Sequence, residues 1–164
     1  MRSKWKGVLA AGALGVLAVV AVVIVGMALG GGSNGTTTRA AYQKTVVNAR
    51  DRVDFALELI TRSRSPKELI ARLEEASDTV GGAADEVARA KVAAGFSDEN
   101  DSLVTALRGL SDDLSGTAAT LREPSLAGAV PGINSLSYPE WTKINEILSD
   151  LDAQGVHVQP LARH

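Results

Sequence analysis

The chain has 164 residues, of which 45% are hydrophobic, 22% charged and 4% aromatic, and its formal net charge at pH 7 is −2. This length allows one ordinary domain beside a short additional segment, and the lack of cysteine excludes disulfides, thiolate metal sites and cysteine nucleophiles. A net negative charge also argues against general nucleic-acid binding, which depends on a large positive field.

An uncharged apolar segment near the start of the chain is the strongest signal in the sequence. Residues 8–29 contain only Val, Ala, Leu, Ile, Gly and one Met, and a helix needs about 20 apolar residues to cross the hydrocarbon core of a bilayer. Three basic residues precede the segment, and the next one is Arg39. Because cytoplasmic flanks carry an excess of positive charge, we predict a cytoplasmic tail over 1–7, a single-pass transmembrane helix over 8–29 and an extracytoplasmic remainder.

A cleaved secretory signal is the alternative interpretation of this segment, because residues 26–28 offer a small-x-small triplet. Signal cores are shorter, at roughly 7–15 residues, so the length favours an uncleaved signal-anchor. Both interpretations export the rest of the chain. The segment also carries small residues at four-residue spacing, which let membrane helices approach each other closely. The predicted helix-packing positions are Ala11, Gly15, Gly26 and Gly30.

A change of composition separates the apolar segment from the rest of the chain. Residues 30–38 are only Gly, Ser, Asn and Thr, which is typical of a flexible linker. The following residues, 39–164, carry 14 basic and 19 acidic side chains, so the predicted outer domain is mildly acidic. A chain of this length can bury one hydrophobic core.

Three segments of the outer domain repeat apolar residues at alternating steps of four and three. This spacing places the residues on one narrow face of a helix and resembles a coiled-coil seam. It predicts amphipathic helices in an antiparallel bundle of three to four helices. The first stripe is Tyr42, Val46, Ala49, Val53, Ala56 and Ile60; the second is Leu69, Leu73, Ala76, Val80, Ala83, Val87, Ala90 and Ala94; the third is Leu103, Leu107, Leu110, Leu114, Thr117 and Leu121.

The predicted helix boundaries carry capping chemistry. Residues 65–68 read Ser-Pro-Lys-Glu, a capping box with proline at the first helical position. Gly95 suits a left-handed residue that ends the second helix, and the acidic residues 98–99 favour the start of the third. The glycine pair at 81–82 lies inside the second helix, where it indicates either a kink or a close helix contact.

A fourth, shorter helix is predicted near the C-terminus. Residues 124–137 contain two prolines and two glycines, which favour a loop, and residues 137–140 form a second capping-box pattern, Ser-Tyr-Pro-Glu. The apolar face that follows is Trp141, Ile144, Leu148 and Leu151. Gly155 ends this helix. Alternation over 156–161 predicts an extended strap along the bundle, since one strand alone has no pairing partner.

Side chains suited to catalysis or metal binding are scarce. The only two histidines, His157 and His164, lie in the last eight residues, and no pattern places either one beside a nucleophile. No ordered scaffold separates them as a metal-binding pair. The acidic run 98–101 lacks the glycine and the closing glutamate of a calcium loop. We therefore expect no catalytic residue, no metal and no cofactor, and a protein that is not an enzyme.

Two groups of residues are candidates for contact with a partner. Antiparallel helices would gather basic side chains at one end of the bundle, where an anionic envelope polymer or an acidic partner could bind. These basic candidates are Arg62, Arg64, Lys67 and Arg122. The second group is aromatic, Tyr138 and Trp141, because aromatic residues are enriched at the centres of interfaces. Burial in the core is the alternative for these two side chains.

Together these features predict a membrane-anchored, extracytoplasmic helical bundle. Fold alone does not settle function, but a bundle without cofactor ligands or a catalytic histidine favours an accessory or scaffold subunit. Its expected partners are the lipid bilayer and other membrane or envelope proteins, and nucleic acid is not among them. Two alternatives stay open: a ligand-sensing ectodomain that works with a separate transducer, and an envelope-polymer-binding or lysis-related factor. A hydrolase would require carboxylates that only folding brings together.

Overall fold

The computed structural model describes residues 34–123 and 138–163, all of which belong to one compact unit. These residues form four α-helices and no strand. The helices are α1 (Asn34–Thr61), α2 (Pro66–Ala88), α3 (Ser97–Leu121) and α4 (Pro139–Ala153). The prediction of an all-α helical bundle is therefore confirmed for the described residues.

The predicted transmembrane segment, 8–29, lies outside the described residues. The same holds for its predicted packing positions, Ala11, Gly15, Gly26 and Gly30. None of the helices α1 to α4 is both long enough and apolar enough to cross a bilayer.

The apolar stripes form one hydrophobic core. All six stripe residues of α1, from Tyr42 to Ile60, are at most 5% exposed. Leu73 of α2, Leu110 of α3 and Leu151 of α4 are fully buried against them. Each helix therefore contributes one apolar face to the same core, and this burial supplies most of the driving force for folding.

Consecutive helices pack side by side. A four-residue connection, 62–65, reverses the chain between α1 and α2. The end of α4 lies beside the start of α3, where the Gln154 amide donates to the Glu99 carboxylate at 2.8 Å, so these two helices run antiparallel. In contrast, no Cα atom of α1 lies within 8 Å of a Cα atom of α4. A gap therefore separates α1 from α4 in the described part of the bundle.

The C-terminal strap, residues 156–163, covers that opening. Its backbone is held on one side by α1, where the Arg50 guanidinium donates to the Pro160 carbonyl at 2.6 and 3.2 Å and the Asp54 carboxylate accepts from the Ala162 N–H at 2.7 Å. On the other side, the Asn145 side-chain oxygen of α4 accepts from the Leu161 N–H at 2.6 Å. Three strap side chains enter the core, with exposed fractions of at most 5%: Val156, Val158 and Leu161. Residues 156–163 therefore lie along the bundle, bonded to both α1 and α4.

Two of the predicted helix caps are present, one at the start of α2 and one at the end of α4. The Ser65 hydroxyl accepts from the Glu68 N–H at 3.2 Å, and the Glu68 carboxylate reaches back to the N–H of Arg64, one residue before the cap, at 2.9 Å. At the end of α4, Gly155 has a φ of +87°. The Val156 N–H donates to the Leu151 carbonyl at 2.8 Å, which is the longer hydrogen bond of a Schellman motif.

The predicted end of α2 is wrong by about two turns. The helix ends at Ala88 with Arg89 as its C-cap, whereas the apolar stripe continues to Ala94. The predicted stripe does not hold beyond the helix, because Ala94 is exposed. The connection to α3 packs on the core through Ala93 and Phe96 instead, which are 4% and 3% exposed. Gly95 has a φ of +89°, so its left-handed conformation is as expected, but it serves this connection and not the cap of α2.

Two helix starts also differ from the predictions. α1 begins at Asn34, inside the predicted linker 30–38, because extending a helix that is already nucleated adds a hydrogen bond for each residue fixed. At α4 the N-cap is Tyr138, which makes no side-chain cap hydrogen bond; Ser137, the predicted cap, lies outside the described residues. Pro139 occupies the first helical position, which its fixed φ favours.

Candidate functional site

A seam of small residues joins α2 and α3 and sets the positions of both helices. The Ser77 hydroxyl donates to the Ser111 carbonyl, and the Ser111 hydroxyl donates to the Ser77 carbonyl, each at 2.9 Å. A Cβ built on Gly81 would lie 3.2 Å from the Ser111 Oγ. The glycine pair at 81–82 therefore lies in an uninterrupted helix, and at Gly81 it permits a close contact between helices. This rigid pair supports a groove on each side, one against α1 and one against α4.

Phe55 dominates the groove between α1 and α2. Its side chain is 58% exposed, and it is the one large hydrophobic side chain that is exposed among the described residues. Beside it lies a cavity of about 90 Å³. The cavity is lined by Phe55, Ala56, Leu59, Arg72, Glu75, Ala76 and Thr79. An aromatic ring at the rim of a small apolar cavity is an anchor on which a partner can pack.

The charges around this groove are already paired. Arg52 of α1 contacts Glu86 of α2 at 2.5 Å, and Arg72 contacts Glu75 along α2 at 3.1 Å. Surface pairs of this kind contribute little to stability. Their consequence here is that the rim of the groove has little net charge, so Phe55 offers apolar contact area without a strong field.

A second groove, of about 480 Å³, runs between α3 and α4. Its floor includes Ala106 and Ile147, and its rim includes the acidic residues Asp101, Glu140 and Glu146. The helices that form it are strongly acidic, because α3 and α4 together carry nine acidic and two basic side chains. α1, on the other hand, carries four basic and three acidic side chains. Negative charge is thus concentrated on the α3–α4 face.

A third opening, of about 520 Å³, lies between α1 and the strap. It contains Arg50, whose guanidinium also contacts the carboxylate of Asp51 at 2.9 Å. His157 lies at its edge with its Nδ1 3.3 Å from the Asp152 carboxylate, and its side chain is 77% exposed. No nucleophile lies beside this imidazole among the lining residues, so the opening has no catalytic arrangement.

Tyr42 is the most strongly perturbed side chain of the bundle. It is 1% exposed, its ring lies 6.1 Å from that of Phe96, and its hydroxyl has no hydrogen-bond partner in the described part of the chain. Burial, together with the nearby carboxylates of Glu99 and Asp101, raises the pKa of Tyr42 to about 12. The hydroxyl is therefore neutral and unpaired, and nothing beside it uses it as an acid or a base.

The pKa of Tyr42 predicts a loss of stability at high pH. The folded state holds the phenolic proton more tightly than the unfolded state does, so the stabilisation is complete below pH 10 and is lost as the pH rises towards 12. We expect a loss of about 2 kcal/mol at pH 12. Tyr42→Phe should remove this loss and should not destabilise the protein at pH 7, because the hydroxyl it deletes is unpaired. Urea unfolding of both chains between pH 9 and 12 checks this; parallel pH curves for the two chains would contradict it.

The predicted basic end of the bundle is assembled but partly neutralised. Arg122 forms an ion pair with Glu74 of α2, which places the end of α3 near the start of α2. Arg62 forms an ion pair with Glu58. Arg64 and Lys67 are exposed and make no ion pair with another described residue. The free positive charge available to an anionic polymer is therefore smaller than the sequence indicates.

The two aromatic candidates are half-buried and pack against the core. The Arg163 guanidinium lies 5.5 Å from the centroid of the Trp141 ring, so the exposed face of the indole is covered by the end of the strap. Burial raises the pKa of Tyr138. Both side chains therefore fit the alternative prediction of packing against the core better than the prediction of an exposed contact surface.

Phe55 and the α3–α4 groove were not among the predicted contact sites. The signal for Phe55 is present in the sequence, because an aromatic residue directly before Ala56 lies off the apolar stripe and on the polar side of α1. The groove has no comparable signal. It depends on which faces of α3 and α4 meet, and neither helix encodes that alone.

The part of the chain that the structure describes is a four-helix bundle, closed by a C-terminal strap, with an aromatic anchor on one face and an acidic groove on another. The described residues contain no group of three or more His, Cys, Asp or Glu side chains placed to hold a metal ion. Comparison of the chain with protein-family models, with curated proteins and with solved structures finds no match.

Proposed function

We propose that this protein is a membrane-anchored accessory or scaffold subunit whose extracytoplasmic helical bundle binds other proteins of a cell-envelope complex. The apolar composition of residues 8–29 supports the anchor, since it meets the length that a bilayer requires. The basic residues before that segment support an orientation with the N-terminus in the cytoplasm. The bundle after the linker then lies outside the cell.

The exposed side chain of Phe55 is the observation that carries the binding role. Burial of the exposed part of this ring against a partner would contribute roughly 1–2 kcal/mol, and the adjoining cavity of about 90 Å³ offers space for one apolar side chain of that partner. Aromatic residues beside small pockets dominate the energetics of many interfaces. The neutral, ion-paired rim permits such contact without leaving an unpaired charge buried.

Capture from membranes tests this role. The tagged full-length chain, cross-linked and gently solubilised, should be recovered from the membrane fraction after a high-salt wash together with a partner protein. Phe55→Ala should reduce that partner at least tenfold, because the anchor of the interface is lost. Ser115→Ala, an exposed position of α3, is the matched control and should leave recovery unchanged. Wild-type chain recovered only as free monomer, or Phe55→Ala with full recovery of the partner, would refute the proposed role.

A further inference from the structure

The α3–α4 groove combines an apolar floor with carboxylates that have no partner. Asp101 and Glu146 are exposed on its rim, and neither carboxylate makes a hydrogen bond or an ion pair within the described residues. Glu140 differs, because the Lys143 ammonium contacts it at 2.8 Å. That contact neutralises the one basic side chain of the rim, so the groove keeps two uncompensated negative charges.

The groove is held open by the packing of α4 on α3. A Cβ built on Gly109 would lie 2.9 Å from the Glu140 Cγ, so the glycine lets the stem of Glu140 rest directly on α3. Glu140 is accordingly only 20% exposed in its side chain. Its position fixes one end of the groove, and Ala106 and Ile147 form the apolar floor beyond it. A groove preformed in this way loses little entropy when a ligand enters.

The dimensions and charge of the groove define its occupant. The lining residues span 101–106 on α3 and 140–147 on α4, about two helical turns or 10 Å. A groove between two helices accepts the apolar face of a third helix. The net charge of −7 on α3 and α4 attracts basic groups and repels nucleic acid, anionic lipid headgroups and anionic polymers.

We infer that the α3–α4 groove binds a basic amphipathic helix of a partner protein, with small apolar side chains on the floor formed by Ala106 and Ile147 and Lys or Arg side chains paired with Asp101 and Glu146. The inference rests on the proposed partner-binding role and adds a second surface, on a different helix pair from Phe55. Two separate surfaces allow one bundle to hold two proteins together.

Peptide binding to the full-length chain tests the groove. The probe is a fluorescein-labelled helical peptide of about five turns, composed of Ala, Leu and Lys with the Lys residues flanking an apolar stripe. The chain is reconstituted in phosphatidylcholine nanodiscs, whose zwitterionic lipid does not attract the probe by net charge. Fluorescence anisotropy should show binding that weakens as salt is raised, since screening acts on exposed charges. The same peptide with Glu in place of Lys should not bind.

A matched pair of charge variants separates a site from general attraction. The double variant Asp101→Asn and Glu146→Gln should weaken binding at least tenfold. The control, Asp112→Asn with Asp113→Asn, removes the same charge from exposed positions of α3 outside the groove, and it should change the Kd by less than twofold. Equal weakening by both variants, or no binding to the wild-type chain, would overturn the inference.

The Phe55→Ala variant distinguishes this inference from the proposed function. It should bind the basic peptide with unchanged affinity, because Phe55 lies between α1 and α2. If the peptide fails to bind while Phe55-dependent capture from membranes persists, the groove assignment is wrong and the partner-binding role stands. If the variant chain binds the peptide but no partner is captured with the wild-type chain, the groove assignment stands and the role of Phe55 is wrong.

Discussion

Ending the chain after Gly155 is expected to lower the free energy of unfolding by roughly 5 kcal/mol or more. The truncation uncovers the side of the core between α1 and α4, whose Cα atoms stay more than 8 Å apart. It also deletes three side chains that are at most 5% exposed, Val156, Val158 and Leu161. Each contributes about 1.5–3 kcal/mol of burial. Far-UV circular dichroism and urea unfolding of the full-length and truncated chains in the same detergent measure the loss.

Point substitutions show whether the loss comes from the core-facing side of the strap. Leu161→Ala alone should cost about 2–5 kcal/mol, as truncation of a buried leucine does. Gln159→Ala, on the exposed side of the same strap, should change stability by less than about 0.5 kcal/mol. A truncated chain within about 1 kcal/mol of the full-length chain would mean that the strap only lies on a bundle that is already closed.

The parts of this fold that follow from local chemistry could be predicted from the sequence. Apolar residues at alternating steps of four and three lie on one face of a helix. The core residues of α1, from Tyr42 to Ile60, therefore follow from their spacing alone. The Ser65 cap and the left-handed Gly155 follow from the hydrogen bonds and backbone angles that only a few residue types provide. The start of α2 and the end of α4 therefore lie where these residues indicate.

The end of α2 shows where this reasoning stops. Ala90 and Ala94 continue the spacing, but the chain leaves the helix after Ala88. The spacing marks the buried face only while the chain is helical. In the connection Ala94 is exposed, and the buried residues are Ala93 and Phe96, which do not belong to the stripe. Apolar spacing alone therefore does not show where a helix ends.

The arrangement of the surface features was the hardest part to predict from the sequence, because it depends on contacts between segments that are distant in the chain. The strap can be recognised as extended from its alternation, but the gap it fills exists only because α1 and α4 stay apart. The sequence places basic residues at one end of the bundle, but Glu74 and Glu58 pair with two of them, Arg122 and Arg62. A count of charges along the sequence does not show which of them are already neutralised.

An added side chain at Gly81 should be strongly disruptive. Gly81→Leu is expected to lower the free energy of unfolding by roughly 3 kcal/mol or more, because a Cβ alone already lies 3.2 Å from the Ser111 Oγ and the remaining carbons have no space between α2 and α3. The larger side chain would also separate the reciprocal hydrogen bonds of Ser77 and Ser111. The gain in helix propensity, about 1 kcal/mol, offsets only part of this.

Gly116→Leu is the matched control for this change. Gly116 also lies inside a helix, but nothing comes within 4 Å of a Cβ built there, so the same substitution should raise stability by about 0.5–1 kcal/mol through helix propensity alone. Urea unfolding of the two variants should therefore differ in sign as well as in size. If both variants are stabilised, α2 and α3 can separate at little cost. The seam would then not hold the two grooves in place, and both binding surfaces would need another support.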